Sequence, residues 1–307
     1  MKVATRQGLQ SSFMIRVLSY RVRRNVVAYL YIVPALVLFA VFLWWPILQA
    51  FIVSFQHVDL SFQPRCVGLQ NFRDVITDPL FFTAWRNTLY YTILAALFAY
   101  IIPVIFAIAV NEMPMKSYLR TAFYLPAVLP PIVTALLWGW IYQPEGGLAN
   151  TILHMVGLNP INWLESEKTV IPSILIMTTW GGMGGTMLYY LAALNAVPSD
   201  LYEAAELDGA NILQRAIYIT IPQIRPIMWL FLVGQIIGTM QIFTEVFALT
   251  DGGPNNASVT LMLLLYRYAF QYNEFGKASA LGVILFIFLS AFSIMYMRMT
   301  FFKKQES

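Results

Sequence analysis

PSDLYEAAELDGANILQRAIYITIPQIRP, residues 198–226, is a long polar segment that separates two apolar spans. It carries Asp200, Glu203, Glu206 and Asp208, and only Arg215 and Arg225 oppose them. A connector between two membrane helices commonly has about 2–8 residues. The segment is therefore far longer than a connection requires, and we expect it to have a structure and a purpose of its own.

Local signals predict two short helices within this segment. Asp200 followed by Glu203 is typical of a capping box that opens a helix. Gly209 is the residue expected after a helix C-terminus, where a positive φ is needed. A second helical piece is predicted from Ala210 to Tyr218, with Pro222 and Pro226 ending it and beginning the next span. Two short helices that meet at a glycine would form a rigid surface for another protein.

The composition around this segment indicates a membrane protein. The chain has 307 residues, of which 59% are hydrophobic and 11% charged, with a mean hydropathy of +0.66. A soluble domain has about 25% charged residues. The six N-terminal cations lie in residues 1–25, directly before a run of thirty uncharged residues. That run is too long for a signal peptide, and no basic face interleaved with aromatic residues favours nucleic-acid binding.

Metal and disulfide chemistry are not indicated. Cys66 is the only cysteine, which excludes an intrachain disulfide. His57 and His154 lie far apart outside the apolar spans, without companions at ligand spacing. We expect no metal site and interpret both histidines as solvated loop residues.

Hydropathy predicts an all-α transmembrane fold with six helices in one domain, residues 26–300, between the basic segment 1–25 and a tail, 301–307. Pro34 and Pro46 interrupt the first span, and Pro126, Pro130 and Pro131 lie in the third. The predicted spans are 26–55, 89–110, 122–142, 170–194, 227–249 and 280–297.

The distribution of basic residues predicts the orientation. With six spans, thirteen Lys and Arg lie on the side of both termini and six on the other. The positive-inside rule therefore places both termini, and with them the 198–226 loop, in the cytoplasm.

The fourth span contains TTWGGMGG, and two explanations for its glycines stay open. Gly181, Gly182, Gly184 and Gly185 could allow close helix packing, as small residues do in membrane proteins. Alternatively they could mark a widened or unwound segment beside a ligand, since irregular backbone at membrane depth is tolerated where it lines a cavity.

The apolar cores contain no ionisable residue near their centres, and Glu245 lies towards the outer end of the fifth span. Ion-coupled carriers usually keep such groups inside the membrane, so secondary transport is disfavoured, although backbone carbonyls can hold sodium. The chain also has no phosphate-binding loop and no nucleophile–base or paired-carboxylate motif. An enzyme or scaffold is the weakest class, and any energy for transport would enter through another protein.

The long loop carries a resemblance to a known family. Glu203, Ala204, Ala205, Gly209, Ile219, Ile221 and Pro222 reproduce the pattern E-A-A-x3-G-x9-I-x-L-P, with Ile221 in place of leucine. This is similar to the EAA loop of bacterial ABC importer permeases. The segments YLYIVPALVLF, WPILQAFIVSF, GLQNFRDVITDPLFFTAWRNT, RTAFYLPAVLPPIVTALLWGWIY, LTDGGP and YRYAFQYNEFGKASAL resemble its carbohydrate-uptake branch, of the maltose and glycerol-3-phosphate kind and in its compact six-helix form.

The resemblance implies a type I permease that forms half of an importer in a bacterial or archaeal cell membrane. Its partners would be a second permease, two ATP-binding subunits and an extracytoplasmic solute-binding protein. ATP and Mg would bind the ATPase subunits, and this chain would hold no cofactor. The segment from Glu203 to Gly209, including Asp208, would be the coupling helix seated in the ATPase.

The resemblance also implies a sugar or polyol pathway along the third, fourth and fifth spans. LTDGGP, with Gly252, Gly253 and Pro254, would face the binding protein. A secondary carrier or channel for a small neutral solute is the alternative reading. The pathway residues, interpreted as backbone and uncharged hydrogen-bonding groups, are Pro131, Thr178, Gly181, Gly182, Gln235, Thr239 and Gln241.

Overall fold

The computed structural model describes residues 29–58, 63–113 and 116–301. The predicted basic segment 1–25 and the tail beyond residue 301 lie outside these ranges. The described chain is mainly helical, with one two-stranded antiparallel hairpin of β1 (Gln56–His57) and β2 (Arg65–Cys66). Its helices are α1 (Tyr29–Val53), α2 (Gln70–Thr77), α3 (Pro79–Leu97), α4 (Ile101–Glu112), α5 (Lys116–Tyr124), α6 (Pro131–Ile141), α7 (Leu148–Met155), α8 (Val170–Leu194), α9 (Ser199–Leu207), α10 (Ile212–Thr239), α11 (Thr244–Leu249), α12 (Leu261–Tyr266) and α13 (Phe275–Phe301).

Four stretches of the described chain are long and apolar enough to cross a membrane: Tyr29–Val53, Pro79–Glu112, Ile212–Thr239 and Phe275–Arg298. A fifth results if the bent pair Ser117–Val128 and Pro131–Ile141 is one span. Helix α8 has 25 residues, or about 37 Å, which is enough length for a bilayer. Its central threonines and glycines make it less apolar, so six spans remain a prediction.

Two helices begin earlier than the apolar segments predicted for them. The second span, expected from residue 89, begins at Pro79, where the Asp78 side chain accepts a hydrogen bond from the Leu80 N–H at 2.8 Å. The sixth, expected at 280–297, is part of a helix from Phe275 to Phe301. Polar residues at both helix starts lowered the local hydropathy, whereas the helices continue beyond the apolar core.

Prolines act differently at different places. Between α5 and α6 the chain turns by 96°, because Leu129 and Pro130 adopt extended backbone, with ψ of 134° and 139°. The residue before a proline is driven from the helical region, and Pro130 is followed by Pro131. The predicted third span, 122–142, is therefore two helices at nearly a right angle.

In α1 and α10, by contrast, the helix continues past a proline. Pro46 lies inside α1, two residues after the end of the π-helical turn Ala40–Trp44. Pro222 lies inside α10, two residues after the end of the π turn Ala216–Thr220. A proline ring would meet the carbonyl four residues earlier in a regular α-helix, and the wider π turn avoids this contact. The prediction that Pro222 and Pro226 divide two helices is wrong, since one helix continues to Thr239.

Helix α8 lies at the centre of the bundle and contacts α3, α4, α5, α6, α10 and α11. Its first half, including Ile174 and Met177, packs in one buried cluster with α3, α12 and α13. Its last half, including Met187 and Tyr190, packs in a second cluster with α4 and α10. The threonine- and glycine-rich middle of α8 lies between the two clusters.

Helix α1 is the opposite case, because its apolar side chains face outward. None of its residues from Tyr29 to Val53 is buried, and its second half contacts α13. A contiguous exposed apolar face of this extent is typical of a lipid or protein contact.

Candidate functional site

The segment predicted to couple the chain to another subunit forms the short helix α9. Pro198 is the N-cap residue, and no side chain caps this end. The predicted capping box of Asp200 and Glu203 is therefore wrong: the helix begins one residue before Asp200, whose carboxylate lies inside the first turn. The capping box lies instead at the start of α10, between Asn211 and Gln214.

Gly209 ends α9 in the way that the sequence predicted. It has φ +76°, its N–H donates to the Glu206 carbonyl at 3.0 Å, and the Ala210 N–H donates to the Ala205 carbonyl at 2.9 Å. This pair of bonds is the Schellman pattern. The tight turn presents Glu203, Ala204, Leu207 and Asp208 to solvent, and Leu207 is 90% exposed.

Two side-chain contacts tie α9 to α10. The hydroxyls of Tyr202 and Thr220 lie 3.0 Å apart. Arg215 donates to Glu206 on α9 and, at 2.9 Å, to Oε2 of Glu112 at the end of α4. Arg215 thus joins three elements, which the sequence alone did not indicate. The remaining predicted coupling residues lie at the start of α10, with Ile219 and Ile221 half-buried and Pro222 exposed.

Two cavities lie around the middle of α8. The first has a volume of about 420 Å³ and is bounded mainly by α8, α10, α11 and Tyr91 of α3. The second, of about 260 Å³, lies at the bend between α5 and α6. Thr178 and Glu245 line both cavities, which places these two residues at the junction.

All seven predicted pathway residues line one or both of these cavities. Pro131, Gly181 and Gly182 line the second cavity, while three residues from α10 and just beyond it line the first: Gln235, Thr239 and Gln241. Thr178 lines both and lies 2.9 Å from the Tyr91 hydroxyl. The structure brings the seven together, although their contact with a substrate remains a prediction.

The glycines of α8 divide into two roles. A Cβ atom on Gly184 would lie 2.0 Å from the Phe123 carbonyl oxygen of α5, whereas Gly182 and Gly185 have nothing within 4 Å. Gly184 therefore permits close helix packing, and Gly181 with Gly182 leaves the cavity wall open. The helix is regular through all four glycines, so the alternative of an unwound segment is wrong.

Glu245 is a cavity residue that the sequence placed elsewhere. The fifth span, predicted as 227–249, ends at Thr239, and Met240–Phe243 separates α10 from α11. Helix α11 packs against α6, which brings Glu245 beside both cavities instead of the outer end of a span. The signal that could have located it is its position as a lone carboxylate in a long apolar stretch.

The LTDGGP loop is folded inward at its first glycine. Gly252 is buried with φ +87°, and a Cβ there would lie 2.8 Å from Nη2 of Arg267. The same Nη2 donates to the Asp251 carbonyl at 2.6 Å. Gly253 and Pro254 are half-buried, and the exposed residues around them are Asp251, Asn255 and Asn256. The need for glycine at 252 is thus explained by its positive φ, with the close packing of Val259 and Arg267 as a second constraint.

Hydrogen bonds from helix α3 anchor the segment that follows LTDGGP. The Asn87 side chain donates to the carbonyls of Asn256 at 2.9 Å and Val259 at 3.0 Å. Nearby, the Tyr268 hydroxyl donates to Asp78. Burial, and then this hydrogen bond to a carboxylate, raises the pKa of Tyr268 above its usual range.

Within the described ranges, no three His, Cys, Asp or Glu residues are grouped to hold a metal ion. Apolar helices around cavities lined mainly by uncharged polar groups, together with an ordered polar loop at one end, define a membrane permease. Residues 112–302 match the family described as binding-protein-dependent transport system inner membrane component. The chain belongs to this family and is a permease subunit of an ABC importer, a component that is not itself an enzyme.

Relatives match over most of the chain. The arabinooligosaccharides transport system permease protein AraP of Bacillus subtilis is 34% identical, covering 89% of this chain and 88% of the relative. The trehalose/maltose transport system permease protein MalF of Thermococcus litoralis is 31% identical, covering 92% and 96%. A chain from the crystal structure of a bacterial ABC transporter involved in the import of the acidic polysaccharide alginate is 25% identical, with a TM-score of 0.79 over 92% of this chain and 99% of that chain. The alternative of a secondary carrier or channel is set aside by this membership.

Proposed function

We propose that this chain forms half of the translocation pathway of an ATP-driven importer for a saccharide, and that α9 transmits the motion of an ATPase to that pathway. The observation that carries the proposal is the continuous helix α10, from Ile212 to Thr239. One end of α10 is tied to α9 through Arg215 and Thr220. Its other end supplies Gln235 and Thr239 to the larger cavity.

The length of α10 makes it a mechanical link. Its 28 residues span about 42 Å at 1.5 Å per residue. A displacement of α9 is therefore passed to the cavity wall by a rigid element with two tethers. Coupling through such an element requires a discrete shift of packed helices. The exposed side chains of Leu207 and Glu203 offer the surface on which an ATPase subunit would act.

The substrate class follows from the cavity lining and from the relatives. Uncharged amides and hydroxyls from Thr178, Gln235, Thr239 and Gln241 suit the hydroxyl groups of a sugar. The names of two relatives specify arabinooligosaccharides and trehalose or maltose. A di- or oligosaccharide, or a related polyol, is therefore the proposed cargo.

The assembly would contain a second permease of the same family, two ATP-binding subunits that hold ATP and Mg, and an extracytoplasmic solute-binding protein. Both termini and α9 would lie in the cytoplasm, as the distribution of Lys and Arg predicts. The loop around Gly252, Gly253 and Pro254 would face the binding protein through its exposed neighbours Asp251, Asn255 and Asn256.

Replacement of Gly209 tests the coupling role. Gly209→Pro removes the N–H that bonds to Glu206 and fixes φ near −65°, whereas the turn requires +76°. Gly209→Asn is the matched control, because asparagine tolerates this conformation. With both variants present in the membrane at equal amounts, saccharide uptake by cells should fall at least tenfold for Gly209→Pro and by less than twofold for Gly209→Asn.

Full uptake by the Gly209→Pro variant would contradict the coupling role. Glu203→Gln provides a second measurement, in which the ATPase activity of the purified complex should lose its stimulation by the loaded binding protein. Uptake in ATP-free vesicles that contain this chain alone would contradict the proposed energy source.

A further inference from the structure

Glu245 is the only acidic residue among the described residues that line the two cavities, and it lines both. It is half-buried, in the first turn of α11. Within the part of the chain that the structure describes, its carboxylate has neither a hydrogen bond nor an ion pair. A carboxylate in this position, open to a cavity and without a partner, is available to a ligand.

The cavity lining gives this carboxylate no counter-charge. No lysine, arginine or histidine is among the described residues of either cavity. The polar groups around it are hydroxyls and amides, including Tyr91, Thr178 and Gln241. A negative charge at the junction is thus not neutralised by a cationic side chain among the described residues of the cavity walls.

Such a charge distinguishes ligands by their own charge. A carboxylate accepts hydrogen bonds from sugar hydroxyls, and these are stronger than bonds between neutral groups. An anionic group entering a cavity of this size is instead repelled, and at the effective dielectric of a protein interior this changes occupancy by a factor on the order of ten. By contrast, the similar chain of known structure belongs to a transporter involved in the import of the acidic polysaccharide alginate, which is an anionic substrate.

We infer that Glu245 is a specificity-determining residue, which admits neutral, hydroxyl-rich saccharides and disfavours saccharides that carry carboxylate, sulfate or phosphate groups. The identification of the ligand as a saccharide rests on the proposed function. The electrostatic part of the inference is independent of the proposed pathway and can be measured without knowing the natural substrate.

The first experiment measures the charge of the cavity. In the assembled complex, with Cys66→Ser to remove the native thiol, Thr178→Cys places a thiol where both cavities meet. Its rates of reaction with a cationic and an anionic methanethiosulfonate reagent of similar size are compared. The ratio of cationic to anionic rate should fall about tenfold when Glu245→Gln is added.

The control uses the native Cys66, which is exposed on the hairpin, in an otherwise unchanged chain. Its ratio of rates should be the same with Glu245 and with Glu245→Gln. An unchanged ratio at Thr178→Cys in the presence of Glu245→Gln would overturn the inference.

The second experiment tests selection between saccharides by protection of the same thiol. An arabinotriose should slow the reaction of Thr178→Cys, whereas an alginate trisaccharide should not, and Glu245→Gln should reduce the difference between them. Equal protection by both in the presence of Glu245 would overturn the inference. If no saccharide protects the thiol while the charge ratio responds to Glu245→Gln, the proposed saccharide pathway is wrong and the electrostatic role of Glu245 stands.

Discussion

Gly184 and Gly185 are neighbours in α8 for which the structure predicts opposite effects of the same substitution. In Gly184→Ala the new Cβ would lie 2.0 Å from the Phe123 carbonyl oxygen and 2.7 Å from Cα of Tyr124. Ordinary non-bonded contacts lie at about 3.5 Å, so α5 and α8 must separate by roughly 1.5 Å. Both contacts are to backbone, and therefore no side-chain rotation relieves them.

The difference between the two variants equals the overpacking cost, because both gain the same helix propensity. Overpacking of a tight interface costs about 1–3 kcal/mol or more, and replacing glycine by alanine inside a helix gains up to about 1 kcal/mol. Gly185→Ala has only the gain, because nothing lies within 4 Å of its new Cβ. The two variants should thus differ by about 2 kcal/mol in the free energy of unfolding, with Gly184→Ala the less stable.

The assay is thermal denaturation of each purified variant in the same detergent, followed by intrinsic tryptophan fluorescence and by the fraction that stays monodisperse. Gly184→Ala should have a lower Tm than the unmodified chain, and Gly185→Ala an equal or higher one. Equal Tm values for the two variants would refute the close approach of α5 to α8.

Two further predictions concern long-range polar contacts. Arg215→Gln leaves Glu112 and Glu206 without their shared partner. Because this network is partly exposed, the free energy of unfolding should fall by about 1–2 kcal/mol, less than for a fully buried pair. The ATPase activity of the complex should also respond less to the loaded binding protein than it does in the exposed control Arg225→Gln. An unchanged response would show that the Arg215 contacts do not transmit motion. Asn87→Ala removes two hydrogen bonds to the carbonyls of Asn256 and Val259, worth about 2 kcal/mol together, so hydrogen exchange at residues 255–260 should accelerate at least tenfold relative to the control Thr83→Ala on the same helix. Equal exchange in both variants would contradict this anchoring role.

The sequence correctly predicted those features that depend only on residues close to one another in the chain. The stop at Gly209 depends on one backbone conformation and two hydrogen bonds to the preceding turn, so its residue type was sufficient evidence. The apolar composition likewise indicates a membrane protein, because the cost of placing charges in lipid applies to any arrangement of the helices.

Boundaries and bends were less predictable, because similar residues have different effects in different contexts. Pro130 and Pro131 bend the chain by 96°, while Pro46 and Pro222 follow π turns and lie within continuous helices. Hydropathy does not distinguish these cases, since the outcome depends on whether the backbone before each proline can widen its turn.

By itself, the sequence determined the class of protein, the polar loop with its glycine stop, and the residue types suited to a pathway for an uncharged solute. Only the tertiary structure decided which glycine of α8 packs against α5, which elements Arg215 joins, and that Glu245 lies between two cavities instead of at the end of a span. The physical reason is the separation in sequence of the interacting residues. Capping, hydropathy and turn conformation depend on residues a few positions apart. The packing of Gly184 against Phe123 and the contact of Arg215 with Glu112 arise only when distant segments are brought together.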